Sequence, residues 1–194
     1  MKKTFYIFRH GQSTYNLAGR TQGQTNDSVL TELGMKQALE IGTKLKDKNI
    51  EVILCSPLIR AKQTAELVNK SLHRPIIEDA HFIEVNVGEI EGMHYTEIQD
   101  KFGEKYRQWR SCDTKYEDLR FSGGESKKEV RLRVFEGLLQ YAENSQYSVL
   151  AVSSHGIMLT QLLIALGQSG RDVPNGSILC LSFDGGKWQI GGFM

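Results

Sequence analysis

Hydrophobic and polar positions along the chain repeat with two distinct spacings, and the two alternate. Residues 4–8 (Thr, Phe, Tyr, Ile, Phe) form a short apolar and β-branched run, the pattern of a buried strand. Residues 52–55 and 148–153 repeat that pattern, and 74–78 is a shorter version of it. Between these runs apolar residues recur at helical spacing. Thr31 caps a predicted helix that runs to about Lys48, with Ala38, Ile41 and Leu45 on one stripe. Ser56 followed by Pro57 reads as an N-cap with proline at the first helical position. It opens a helix to about Lys70 with Ala61, Ala65 and Val68 turned inward. Ser126-Lys127-Lys128-Glu129 is a capping-box pattern for a helix to about Asn144, carrying Val130, Val134, Leu138 and Tyr141 on one stripe. Residues 156–166 predict an apolar helix, and 177–183, Asp184-Gly185-Gly186 and 187–190 a C-terminal hairpin. Two stretches lack a period. Residues 17–28 read as a polar loop, and 80–124 as loops and short helices.

Strands alternating with helices predict an α/β fold around a largely parallel sheet. In such sheets ligands bind beyond the carboxyl ends of the strands. Three predicted strands end there in chemically capable residues: Arg9-His10-Gly11, Ser56-Pro57 with Arg60 close behind, and Ser153-Ser154-His155-Gly156. Position alone therefore gathers two histidines and two arginines at one sheet edge.

Composition narrows the partner. The 194 residues carry 24 Lys and Arg against 23 Asp and Glu, a formal net charge of +1. A near-neutral surface argues against a protein that coats nucleic acid or an anionic membrane, but not against a local basic pocket. No basic stripe with interleaved aromatics points to nucleic acid. Apolar runs fall short of the roughly 20 residues of a membrane span, and the N-terminal one is too short for a signal peptide. Cys55, Cys112 and Cys180 are few and widely spaced, which fits neither a disulfide framework nor a zinc site. Cys55 and Cys180 read as small buried hydrophobes. The expectation is a single-domain, cytoplasmic, metal-free protein.

The two His-Gly pairs that follow predicted strands are hard to explain as packing, because glycine there permits close backbone approach to a ligand. His73, His81 and His94 lie in polar stretches and read as surface residues. Two histidines without a carboxylate at ligand spacing make a poor metal site. Guanidinium forks suit phosphoryl oxygens. Arg60 in a first helical turn opposes the helix dipole, so its position calls for a compensating anion. Asn16 adds a donor from the loop after Gly11. Two histidines, two arginines and an asparagine suit a dianion such as phosphate.

At this point the chain resembles a known family. Arg9-His10-Gly11-Gln12-Ser13-Thr14-Tyr15-Asn16 is similar to the R-H-G-x-x-x-x-N signature of the histidine phosphatase superfamily, the phosphoglycerate mutase-like proteins. The stretch from Asp27 to Gly34 resembles D-x-x-L-T-x-x-G, and that from Ser56 to Ala65 resembles S-P-L-x-R-A-x-Q-T-A. Glu84 with Gly88 and Glu91-Gly92 resembles E-x-x-x-G-x-x-E-G, Gly124-Glu125-Ser126 the G-E-S motif, and Ser154-His155-Gly156 the second-histidine motif.

The resemblance implies a three-layer α/β/α sandwich with a mostly parallel sheet and a phosphohistidine mechanism without a cofactor. His10 would be the nucleophile, which requires a neutral ring with one nitrogen free. Arg9, Arg60, Asn16 and His155 would hold the phosphoryl oxygens, and Glu84 would protonate the leaving group. Gly11 and Gly156 would allow close approach, while Gln22, Gly23 and Arg20 would line the pocket mouth. After Glu84 the chain reads Val85-Asn86-Val87-Gly88, without the E-R-H-Y-G pattern of cofactor-dependent mutases, which places it with the phosphatases. The resemblance thus implies a phosphomonoesterase for a small phosphate ester; a phosphoglycerate mutase and a non-catalytic phospho-ligand binder are the rival readings. Residues 93–122, with Arg107, Trp109, Arg110, Lys115, Tyr116 and Arg120, are expected to form a variable lid reading a second anionic group. A monomer or homodimer is expected.

Overall fold

A computed structural model describes residues 2–194. The elements run β1 (Lys3–Arg9), α1 (Thr14–Leu17), α2 (Glu32–Leu45), β2 (Val52–Cys55), α3 (Ile59–Leu72) and β3 (Ile76–Glu78). They continue with α4 (Tyr95–Arg110), α5 (Lys127–Asn144), β4 (Val149–Ser154), α6 (Gly156–Ala165), β5 (Ile178–Asp184) and β6 (Lys187–Phe193). One sheet joins the six strands in the order β3-β2-β4-β1-β5-β6. The pairings among β3, β2, β4 and β1 are parallel, and β5 and β6 add antiparallel at one side.

Period-two alternation builds three layers from this sheet. Phe5 and Ile7 of β1, Val52 and Leu54 of β2, and Leu150 and Val152 of β4 face one way, onto Val134 and Leu138 of α5 and Met158 and Leu162 of α6. Phe8, Ile53, Cys55 and Ala151 face the other way, onto Ile41 and Leu45 of α2 and Ala61, Ala65 and Val68 of α3. With both faces covered, β2 is apolar throughout and β4 is apolar as far as Val152. Among the described residues no helix is long and apolar enough to cross a membrane.

Three expectations are corrected. Helix α3 begins at Ile59 with Leu58 as its N-cap, so Ser56 is not the capping residue and Pro57 is not its first position. The cap comes from a distant loop: Asn26 Oδ1 accepts the Ile59 N–H at 2.6 Å. Residues 80–124 are also more regular than their pattern suggests, because α4 spans 16 residues. Gly103, at φ 39°, breaks that helix and shifts its apolar stripe, which hides the period. Its buried residues Ile98, Tyr106 and Trp109 pack with Val85, Ile90 and Phe121 in a third apolar cluster. Of the three histidines expected at the surface, only His73 is exposed. His81 and His94 are half-buried, hydrogen-bonded to Asp79 and Thr96 respectively.

Candidate active site

The parallel order places the carboxyl ends of β2, β4 and β1 side by side, and with them Ser56, His155 and His10. Backbone bonds continue the ladder past the strand ends: Ser56 N–H donates to Ser153 O at 3.0 Å and His10 N–H to Ser154 O at 2.9 Å. The two imidazole centroids lie 5.2 Å apart.

His10 is buried and its tautomer is determined by one contact. Nδ1 lies 2.7 Å from the Gly11 carbonyl, which can only accept, so Nδ1 carries the proton and Nε2 keeps its lone pair. Burial, then the charges of Arg60 and Arg9, push the His10 pKa well below the usual imidazole range. Gly11 serves this geometry from behind. Its N–H donates to Thr64 Oγ1 at 3.2 Å, and a Cβ there would sit 2.2 Å from the Gly34 carbonyl oxygen. It does not line the cavity, so its expected direct role toward a ligand becomes a backbone role toward His10.

The arginines are held through backbone carbonyls. Arg60, fully buried, donates through Nη1 to Thr25 O at 2.9 Å and through Nη2 to Gly23 O at 2.7 Å. Arg9 donates through Nη1 to Val173 O at 2.5 Å. Burial lowers the pKa of both, that of Arg60 to about 10. The Nε atoms of Arg9 and Arg60 and Nδ1 of His155 are buried without a protein partner. His155 Nε2 meets Ser56 Oγ at 2.7 Å. Burial, Arg60, His10 and Arg9 hold the His155 pKa well below its usual value. Unpartnered donors on charged groups beside a free imidazole nitrogen form an anion site.

Glu84 reaches this site from the loop after β3 and is only 8% exposed. Oε1 accepts from Val85 N–H and Met158 N–H and Oε2 from Ile157 N–H, each at 3.0 Å. His155, the N-cap of α6, makes no side-chain cap, so the Glu84 carboxyl supplies it by accepting the first N–H groups of the helix. Oε2, with a single N–H bond, retains a lone pair for a proton. Gly156 lets α6 begin against Arg9, since a Cβ there would lie 3.2 Å from the guanidinium carbon.

Arg9, His10, Asn16, Gln22, Gly23, Arg60, Glu84 and Gly156 line one cavity of about 390 Å³, in the size range of small-molecule sites. Asn16 Oδ1 accepts from Ser13 and Asn175, and Gln22 Oε1 accepts from Ser13 Oγ. Arg20 lies outside: its guanidinium donates to Gly92 O, because an exposed arginine satisfies itself on the nearest free carbonyl. Of the residues singled out in 93–122, Trp109 and Arg110 reach the cavity. Arg107, Lys115 and Arg120 pair instead with Glu104, Asp113 and Glu129, and Tyr116 does not line it. Sequence reasoning missed Ser56 as the partner of His155, and missed Lys127 and Gln161, which also line the cavity. Ser56 was visible as a polar residue at a strand end. Nothing in the local pattern marks the other two.

The family model for the histidine phosphatase superfamily (branch 1) matches residues 5–193. A protein of Bacillus subtilis (strain 168) named as the uncharacterized phosphatase PhoE is 32% identical over 189 residues, covering 95% of this chain and 90% of its own. The metal-independent phosphoserine phosphatase of Arabidopsis thaliana is 33% identical over 189 residues, covering 95% of this chain and 78% of its own. Among solved structures, a mycobacterial glucosyl-3-phosphoglycerate phosphatase with VO3 superposes with a TM-score of 0.88 at 23% identity, covering 98% of both chains. That last likeness confirms the layered fold.

Proposed function

The chain belongs to the histidine phosphatase superfamily, and from that premise we propose that it is a phosphomonoesterase that hydrolyses a small phosphorylated metabolite through a phosphohistidine. One observation carries this reading. His10 presents an unprotonated Nε2 because Nδ1 is tied to Gly11 O, and it does so beside the unpartnered Nε atoms of two buried arginines.

In this mechanism the phosphoryl group sits against Arg9, Arg60, Asn16 and His155, which take up the charge that spreads over its oxygens in the transition state. With Ser56 donating to Nε2, His155 directs its Nδ1–H to the phosphoryl group. His10 Nε2 attacks phosphorus in line, the P–N bond forms and the ester P–O bond breaks. The departing oxygen takes a proton from Glu84. Glu84 then takes a proton from water, whose oxygen attacks phosphorus, and the P–N bond breaks to release inorganic phosphate and free His10. Burial of His10 keeps its ring neutral, which the first step requires.

Water as the acceptor, rather than a second substrate oxygen, is supported by Val85-Asn86-Val87-Gly88 after Glu84, which lacks the mutase pattern. Residues 93–122 act as the lid, contributing Tyr95, Tyr106, Trp109 and Arg110 to the cavity wall. Cys55, Cys112 and Cys180 are free thiols, which supports a reducing, cytoplasmic setting.

The test is phosphate release from p-nitrophenyl phosphate. His10→Ala is expected to abolish it; an unchanged rate refutes His10 as the nucleophile, and a wild type that releases no phosphate refutes the enzyme reading in favour of a binding protein. Assaying 3-phosphoglycerate with and without 2,3-bisphosphoglycerate separates the isomerase. Mutase turnover exceeding phosphate release overturns the hydrolase.

A further inference from the structure

Lys127 occupies an unfavourable place for a cation. It is the first residue of α5, where the helix dipole presents positive charge, and it is only 6% exposed. Its ammonium donates to the Ser111 carbonyl at 2.5 Å, and no carboxylate lies within ion-pair distance among the described residues. The anions nearest in charge are already engaged. Asp113 pairs with Lys115, and Glu117 with Arg131 and Lys128. Burial accordingly lowers the Lys127 pKa. An ammonium with three donors and one protein acceptor has two N–H groups left, and Lys127 lines the same cavity as His10.

Gln161, on α6, lines that cavity too. It is 2% exposed, and its side-chain oxygen has no partner. A buried amide oxygen without a hydrogen bond is costly unless a ligand completes it. The wall of the cavity also includes Val85, Trp109, Ile157 and Pro174, apolar surface that suits a short carbon skeleton.

Resting on the phosphomonoesterase reading, we propose that the cavity holds a second group of the substrate. Lys127 takes a carboxylate and Gln161 a hydroxyl or amino group on the adjoining carbon, so the substrates are phosphate monoesters of small hydroxy acids. The charge count favours a carboxylate over a second phosphate. The phosphoryl site uses two arginines, whereas the rest of the cavity wall offers one ammonium and Arg110, which pairs with Asp172 at 3.4 Å.

Two substrate pairs, each differing in the carboxylate, test this: 3-phosphoglycerate against glycerol 3-phosphate, and O-phosphoserine against O-phosphoethanolamine. The wild-type enzyme is expected to prefer the acid of each pair by about tenfold or more in kcat/KM, the scale of one charge-assisted hydrogen bond. Lys127→Met is expected to bring both ratios near one, and Lys127→Arg to restore part of the preference. Wild-type ratios near one overturn the proposal, as does a Lys127→Met enzyme that keeps them, or a bisphosphate such as fructose 1,6-bisphosphate turned over better than either acid. If Lys127→Met fails to fold, competitive inhibition of wild-type p-nitrophenyl phosphate hydrolysis by the four compounds gives the same ranking. Failure of the wild type to release phosphate from p-nitrophenyl phosphate instead refutes the underlying phosphatase reading.

Discussion

Arg133 and Glu125 form an ion pair at 3.2 Å, and between them they hold both sides of Glu84. Arg133 Nη1 donates to Ile83 O at 2.9 Å and to His81 O at 3.0 Å, just before Glu84 in the chain. Glu125 Oε2 accepts from Asn86 N–H at 2.8 Å, just after it. Gln24 Nε2 donates to the carbonyl of Glu84 itself at 3.0 Å. A loop that would otherwise be free to move is thereby fixed with its carboxylate on α6.

Loss of this clamp is expected to act through proton transfer to the leaving group. Arg133→Met should lower kcat about tenfold on an alkyl phosphate and much less on p-nitrophenyl phosphate, whose leaving group departs without a proton. Parallel rates on the two substrates, with Glu125→Gln as a second variant, measure this. Equal losses on both would show that the clamp stabilises the fold without serving Glu84.

The pH dependence follows from the two buried histidines. His10 has its pKa depressed by burial, Arg60 and Arg9, and His155 likewise. A neutral nucleophile therefore persists below pH ~6.5, the ordinary imidazole value, and kcat/KM should show no acid limb attributable to His10 there. Stability has a related sign. The unfolded chain protonates these imidazoles near pH ~6.5 and the folded chain does not, so the unfolding free energy is fully present above that pH. It declines as pH falls from there toward the depressed folded values. Denaturant melts at several pH values check this, and His155→Asn should flatten the decline.

Glu84 is expected to carry stability as well as activity. Glu84→Gln leaves an amide NH2 facing backbone N–H donors at the start of α6. It should cost about 1–3 kcal/mol in a denaturant melt and roughly 10²–10⁴ in kcat on an alkyl phosphate. An unchanged melt would mean that α6 is capped in another way.

The sheet, the inward stripes of α2, α3 and α5, and the strand-end positions of His10 and His155 were all legible in sequence, because each depends on local periodicity. Glu84 was legible only through the family motif; its loop has no period, and its partners Ile157 and Met158 are far along the chain.

What the sequence alone determined is thus the layered fold and the edge at which chemistry gathers. Tertiary structure decided the partners. It turned Ser56 from a helix cap into the neighbour of His155, gave α3 its cap from Asn26, and sent Arg20 to Gly92 rather than to the cavity. It also brought Lys127 and Gln161 to the cavity that holds His10. A hydrophobic period reports which face of a segment is buried. Which donor meets which acceptor depends on segments distant in sequence, and only packing of the whole chain brings them within hydrogen-bond reach.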